Sequence, residues 1–140
     1  MNKKWTVLIV LLDLATLILS ACSRASESPR SLEGTSWTLL AYRKTSPIEG
    51  TTITATFEEG RVSGSAGCNS YSGLYEVDGD KITVGALAIT MMACVEPQGV
   101  MEQEQTFTEF LGAAQTFRFE REQLYIYFSD HEALTFVPAE

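Results

Sequence analysis

From Gly34 onward, apolar and polar residues alternate in short runs set apart by turn-forming residues. Alternation puts successive side chains on opposite faces of an extended chain, so each run predicts a half-buried β-strand. Eight runs qualify by β-branched and aromatic content: 35–42, 52–57, 61–65, 74–77, 81–84, 116–120, 123–128 and 134–137. Asp78-Gly79, between Tyr75 and Thr83, predicts a tight hairpin, because glycine supplies the positive φ that such a turn needs. Looser connections are expected at 58–60, 121–122 and 129–132. Within 117–120 and 124–128 one face is apolar and the other polar or tyrosine, as in a sheet with its core on one side. Tyr125 and Tyr127 then read as packing with wet hydroxyls rather than as ligand contacts.

One segment breaks the alternation. Val100–Ala114 carries Phe107, Phe110, Leu111 and Ala114 at helical spacing, with Glu102 and Glu104 in the first turn, where the helix dipole favours acids. A helix of about three turns is predicted, its apolar stripe covering the open face or end of the sheet. The expected fold class is mainly β with one helix (α+β): a strongly curved antiparallel sheet or incomplete β-barrel covered by that helix.

The first residues follow a different plan. Lys3 and Lys4 precede an apolar stretch from Trp5 to Leu19, broken by Thr6, Asp13 and Thr16 and followed by small residues, as in a secretory signal. A membrane span needs roughly 20 apolar residues, and a central Asp costs about 2.5 to 3.5 kcal/mol on insertion, so the stretch is short for a permanent span. Leu19-Ser20-Ala21-Cys22 resembles a bacterial lipobox, in which the cysteine thiol takes up diacylglycerol and the chain is cut before it. Cys22 is therefore the expected lipidation site. Residues 1–21 are the signal peptide, 22–31 the lipidated cysteine and a flexible tether, and 32–138 the folded domain. Ser23–Ser31 has no bulky apolar group and reaches at most roughly 30 Å when extended.

With Cys22 lipidated, Cys68 and Cys94 remain as a pair in an oxidising compartment, where a disulfide is the natural outcome. The alternative is a soft-metal or redox module, in which the two cysteines hold Cu(I) with Met91, Met92 or His131. No C-x-x-C or H-x-x-H spacing accompanies it.

The run 62–75, VSGSAGCNSYSGLY, resembles the G-x-x-G-C-N-x-(aromatic)-x-G-x-Y signature of the META domain family. Gly34 with Trp37 is similar to the family's G-x-x-W opening, 88–94 to its T-x-M-A-C segment, and 101–107 to its E-x-x-(aromatic) helix start. The resemblance implies a small curved sheet or incomplete barrel with one helix. It also implies a cell-envelope protein without known catalytic residues, tied in some members to stress response or antibiotic resistance. In the loop 64–73, Gly67 and Gly73 suit backbone closed to other residues, and Cys68 can staple the loop to Cys94. Asn69 and Tyr71 are candidates for binding or for structuring this loop, and the structuring role is favoured.

Composition and charge narrow the function. A chain of 140 residues, 45% hydrophobic and 20% charged, holds one globular domain. Loss of Lys3, Lys4 and Asp13 with the leader reduces 10 basic and 18 acidic residues to 8 and 17, and so acidic a surface argues against nucleic acid as a partner. The single histidine, His131, lies beside Ser129, Asp130 and Glu132 in a polar turn, where no triad converges from separate places. The carboxylate pairs 58/59, 78/80 and 102/104 read as solubility and capping groups. No enzyme activity, cofactor or resident metal is expected. The expected partners are the membrane, through the lipid anchor, and an envelope protein or a small hydrophobic ligand, met as a monomer on the extracytoplasmic face.

Overall fold

The computed structural model describes residues 31–140, so Cys22, the signal peptide and the tether lie outside the described residues. Nine strands and one helix follow in order: β1 (Thr35–Tyr42), β2 (Thr54–Glu58), β3 (Arg61–Ser65), β4 (Ser70–Asp78), β5 (Lys81–Val84), β6 (Ala88–Ile89), α1 (Val100–Gly112), β7 (Thr116–Glu120), β8 (Gln123–Tyr127) and β9 (Ala133–Pro138). Every strand pairing is antiparallel, as short hairpin connections require. The strand order is β3-β2-β1-β9-β8-β7-β5-β4-β6, and β3 also pairs with β4, which bends the sheet into a ring.

The ring has one thin seam. Between β5 and β7 the ladder is a single pair, Lys81 opposite Thr116. It is flanked by Ile82 N donating to Gln115 O at 3.0 Å and Phe117 N donating to Asp80 O at 2.8 Å. The sheet is thus curved and ring-like without being a regular barrel, and among the described residues a single helix accompanies it, as the sequence pattern predicts.

Turn chemistry sets the register. In the β2–β3 hairpin Glu59 and Gly60 have φ of 52° and 71°, both positive, which gives a two-residue loop the twist of its flanking strands. Gly79, with φ 65°, turns the β4–β5 hairpin where Asp78-Gly79 predicts it.

Several boundaries differ from the sequence reading. The segment 64–73 is not a loop: its ends belong to β3 and β4, and only 66–69 turn. Gly64 and Gly73 mark close approach instead, whereas Gly67 has the positive φ expected of it. A Cβ on Gly64 would stand 2.1 Å from the Thr54 carbonyl oxygen, and one on Gly73 would stand 2.7 Å from Leu87 Cδ2. β4 consequently begins at Ser70 rather than Leu74. β6 is an added strand that continues β5 along β4 after an irregular stretch at 85–87, held there by Gly85 N donating to Leu74 O at 2.9 Å. β2 starts at Thr54 rather than Thr52, and α1 stops at Gly112 rather than Ala114.

The core fills the ring. Phe57, Val62, Leu124, Ile126, Leu134 and Phe136 are fully enclosed, and α1 adds Phe107 and Leu111. Each such side chain gains about 1.5 to 3 kcal/mol from leaving water. Phe107 meets Tyr71 edge-on at 5.4 Å, and Phe110 stacks on Phe128 at 4.1 Å, which docks the helix on both β4 and the strand end after β8.

Candidate functional site

The residues singled out by the sequence converge where the β3–β4 turn, the stretch after β6 and the start of α1 meet. Ala66 N donates to Asn69 O at 2.7 Å and closes the turn, with Gly67 at φ 112° inside it. Gly67 also lies against the helix, since a Cβ there would stand 3.1 Å from Gln103 Nε2. The turn thereby aims Asn69 into the protein, where it is 2% exposed, almost wholly removed from water.

Asn69 bonds in every direction its amide allows. Its Oδ1 accepts from Met92 N at 2.7 Å and from Thr90 Oγ1 at 2.8 Å. Its Nδ2 donates to Glu104 Oε1 at 2.8 Å and to Met92 O at 3.1 Å. Its main-chain N donates to Glu104 Oε2 at 2.6 Å. Glu104 therefore chelates Asn69 with both carboxylate oxygens. This corrects the reading of Glu104 as a solvated capping acid: it is 6% exposed and lies on the buried stripe of α1 between Val100 and Phe107. Beside it, Gln103 accepts from Ile48 N at 2.6 Å and donates to Thr51 Oγ1 at 3.0 Å, which ties the 48–51 loop to the helix.

A covalent link completes the cluster. Cys68 and Cys94 are joined by a disulfide with Cα atoms 6.1 Å apart, so the 90–95 stretch is fastened by a bond as well as by Asn69. The soft-metal alternative needs both sulfurs as thiols, and His131 stands apart from them, exposed in the β8–β9 connection. Among the described residues no group of three or more His, Cys, Asp or Glu side chains is placed to hold a metal ion.

Tyr71 belongs to the same region but points into the core. It is 3% exposed, and its hydroxyl donates to Thr54 O at 2.8 Å. Burial pushes its pKa well above the ordinary tyrosine value. Asn69 and Tyr71 thus have their polar groups engaged within the protein, which is what a structuring role asks of them.

Two further features carry no sequence signal of their own. Where the described chain starts, the Glu33 carboxylate accepts from Tyr75 Oη at 2.7 Å, Glu59 N at 2.5 Å and Gly60 N at 3.3 Å. These donors lower the Glu33 pKa below the usual carboxylate value, the Tyr75 hydroxyl most of all. Desolvation and then the Glu33 carboxylate push Tyr75 up to about 12. The second feature is an open cleft of about 500 Å³ between the outer face of α1 and the β5–β6 stretch. Val84, Leu87 and Ile89 line one wall, and Gln105, Thr108 and Glu109 the other.

The glycine-framed turn, its buried asparagine and the cysteine pair sit inside a match to the META domain family model over residues 30–140. The chain belongs to the META domain family. No curated protein matches it in sequence. A protein from Burkholderia xenovorans, known by NMR, is similar over 86% of this chain and 96% of its own, at 24% identity and a TM-score of 0.65. A second protein solved by NMR covers 75% of this chain and 89% of its own, at 24% identity and a TM-score of 0.60. A DUF4847 family protein from Bacteroides vulgatus, solved by crystallography, covers 74% of this chain and 92% of its own, at 13% identity and a TM-score of 0.53. At these identities the likeness is one of fold. In this chain residues of the META signature fasten the turn, the post-β6 stretch and α1 to one another.

Proposed function

We propose that this META-domain chain is a non-catalytic lipoprotein, anchored through Cys22 on the extracytoplasmic side of a membrane, that serves envelope maintenance, stress response or antibiotic tolerance by binding a partner. The observation that carries the non-catalytic part is the state of the signature cluster. Asn69, Glu104 and Thr90 engage one another and the backbone, and the two cysteines are paired. Catalysis by such groups needs a free nucleophile facing a base, whereas the Thr90 hydroxyl and the Glu104 carboxylate are both taken up by Asn69. The anchor rests on the Leu19–Cys22 run, and the cleft beside α1 offers a surface for a partner.

Intact mass of the protein purified from bacterial membranes, taken before and after reduction with thiol alkylation, tests the anchor. Loss of residues 1–21, acyl chains on Cys22 and two thiols that appear only on reduction are expected. An unacylated Cys22 overturns the anchor, and two thiols free from the start overturn the structural staple.

A further inference from the structure

We infer that the cleft between α1 and the β6 stretch, with the methionines that extend it, is a docking groove for a cationic amphipathic peptide segment of another molecule. The inference rests on the reading of the domain as a binding module and names the partner's chemistry. Three observations meet here.

The first is apolar surface where a folded chain would normally hide it. Met91 is 98% exposed, Val95 84% and Met92 56%, and Ile89 and Met101 are also exposed. A large apolar patch on a soluble domain marks an interaction surface, and methionine is suited to it because its unbranched, polarisable side chain adapts to varied shapes. The patch adjoins the cleft in the chain: Met101 precedes the cleft residue Gln105 by four residues and so shares its helix face, and Met91 and Met92 come two and three residues after the cleft residue Ile89.

The second is charge. From Ile82 to Phe117, the segment that builds both walls, there is no Lys, Arg or His. Its exposed charges are Glu96, Glu102 and Glu109, and the last lines the cleft. Arg43, which stacks on Phe110 of α1, is itself paired with Glu132. A second copy of the chain would bring the same acids face to face, and an anionic membrane would meet them with like charge. A segment with an apolar stripe and a cationic face satisfies both the methionines and the glutamates.

The third is rigidity of one wall. The stretch that carries Met91, Met92 and Val95 is fastened by the Cys68–Cys94 bond and by Asn69 at Met92, so the methionines are held out rather than left to collapse onto the core. A wall set in advance lowers the ordering cost of binding.

The test is titration of the full chain, carried in nanodiscs of zwitterionic lipid, with a Leu/Lys amphipathic peptide of about 18 residues, five helical turns. Selectively ¹³C-methyl-labelled methionine reports directly, because Met91, Met92 and Met101 are all the methionines beyond Met1. Saturable shifts of these three methyls are expected, weakening with salt, and absent with the sequence-scrambled peptide or with a Leu/Glu analogue. The exposed-site double variant Met91→Ser/Met92→Ser and the pair Glu102→Gln/Glu109→Gln should each raise Kd by about tenfold with the melting temperature unchanged. Equal binding of the scrambled peptide, unmoved methyls, or indifference to both variant pairs overturns the groove. Tighter self-association than peptide binding overturns the choice of occupant. Since acylation is read separately by intact mass, failure here leaves the anchor standing, and failure there leaves the groove standing.

Discussion

At the residue scale the central fact is a buried carboxylate held by amide donors. Glu104 is held by two donors of Asn69, at 2.6 and 2.8 Å, so its oxygens are matched by N–H groups rather than by an opposite charge. Asn69 in turn depends on Glu104, because removing the carboxylate strands a buried amide N–H and part of a side-chain amide. Glu104→Ala should therefore destabilise the domain by about 2 to 4 kcal/mol, near the cost of leaving such groups unpaired. Urea unfolding with an unchanged m-value would check it, and a loss below about 0.5 kcal/mol would show that water replaces the carboxylate freely. Glu104→Gln should also be costly, since it turns one oxygen that faces donors into another donor. The sequence made the cysteine pair legible by count, as the two thiols left once Cys22 is set aside, and Asn69 by its place next to Cys68 in the glycine-framed segment. Glu104 was hidden because an acid near a helix start has an adequate local explanation in the dipole. Its position on the stripe between Val100 and Phe107 was the signal that it faces inward.

The Glu33 and Tyr75 pair gives a pH prediction at the same scale. The folded pKa of Glu33 lies below the ordinary 4.5, so its stabilisation is present above that value and is lost as pH falls through the folded pKa. Tyr75 is raised from 10.0 to about 12, so its share is full below 10.0 and is lost as pH climbs through 12. Tyr75→Phe should remove the largest cause of the Glu33 shift and return that carboxyl toward its ordinary titration, with the Glu59 and Gly60 amides retaining part of the effect. Carboxyl ¹³C titration by NMR reads this directly, and an unchanged Glu33 midpoint would show that the two amides suffice.

At the element scale, strength is uneven around the ring. β1 and β9 pair through five residue positions across a bulge at Leu39 to Ala41, and β3 and β4 through five more, whereas β5 and β7 share one. Amide exchange samples local opening, which follows the density of neighbouring hydrogen bonds. Ile82 N and Phe117 N, the two amides that stitch the seam beside that pair, should exchange faster than the buried ladder amides of β1 and β3. Equal protection would mean that the ring opens only as a whole. Most strands and the helix were legible because period-two and helical patterns are written by burial itself. The start of β4 and the short β6 were not. Serines, glycines and an asparagine have weak strand preference, and the close approach of β2 to Gly64 and of the irregular 85–87 stretch to Gly73 is not shown by local sequence.

At the scale of the whole molecule, charge and chain direction act together. Residues 1–30 hold Lys3, Lys4, Arg24, Arg30, Asp13 and Glu27, so of 10 basic and 18 acidic residues the described part keeps 6 and 16. The chain enters that part beside the β2–β3 hairpin, where Glu33 binds the Glu59 and Gly60 amides, while the Asn69 cluster follows the far end of β3. Glu33, near the start of the described residues, and the Asn69 cluster that fastens the methionine-bearing stretch therefore stand at opposite ends of β3. Attraction to an anionic bilayer grows with each nearby Lys or Arg, by about 1 kcal/mol apiece, and decays over roughly 10 Å at 0.1 M salt. The domain has few such residues and an excess of acids, so without its acyl chains it should remain in the supernatant when sedimented with anionic vesicles, at low salt as well as at physiological salt. The lipid proposed at Cys22 would then be the whole of the attachment, with the acidic domain held off an anionic surface by like charge. Adsorption of the unlipidated domain at low salt, relieved by added salt, would instead reveal a basic face strong enough to override the net charge, and that face would lie outside the groove, whose segment holds no Lys, Arg or His.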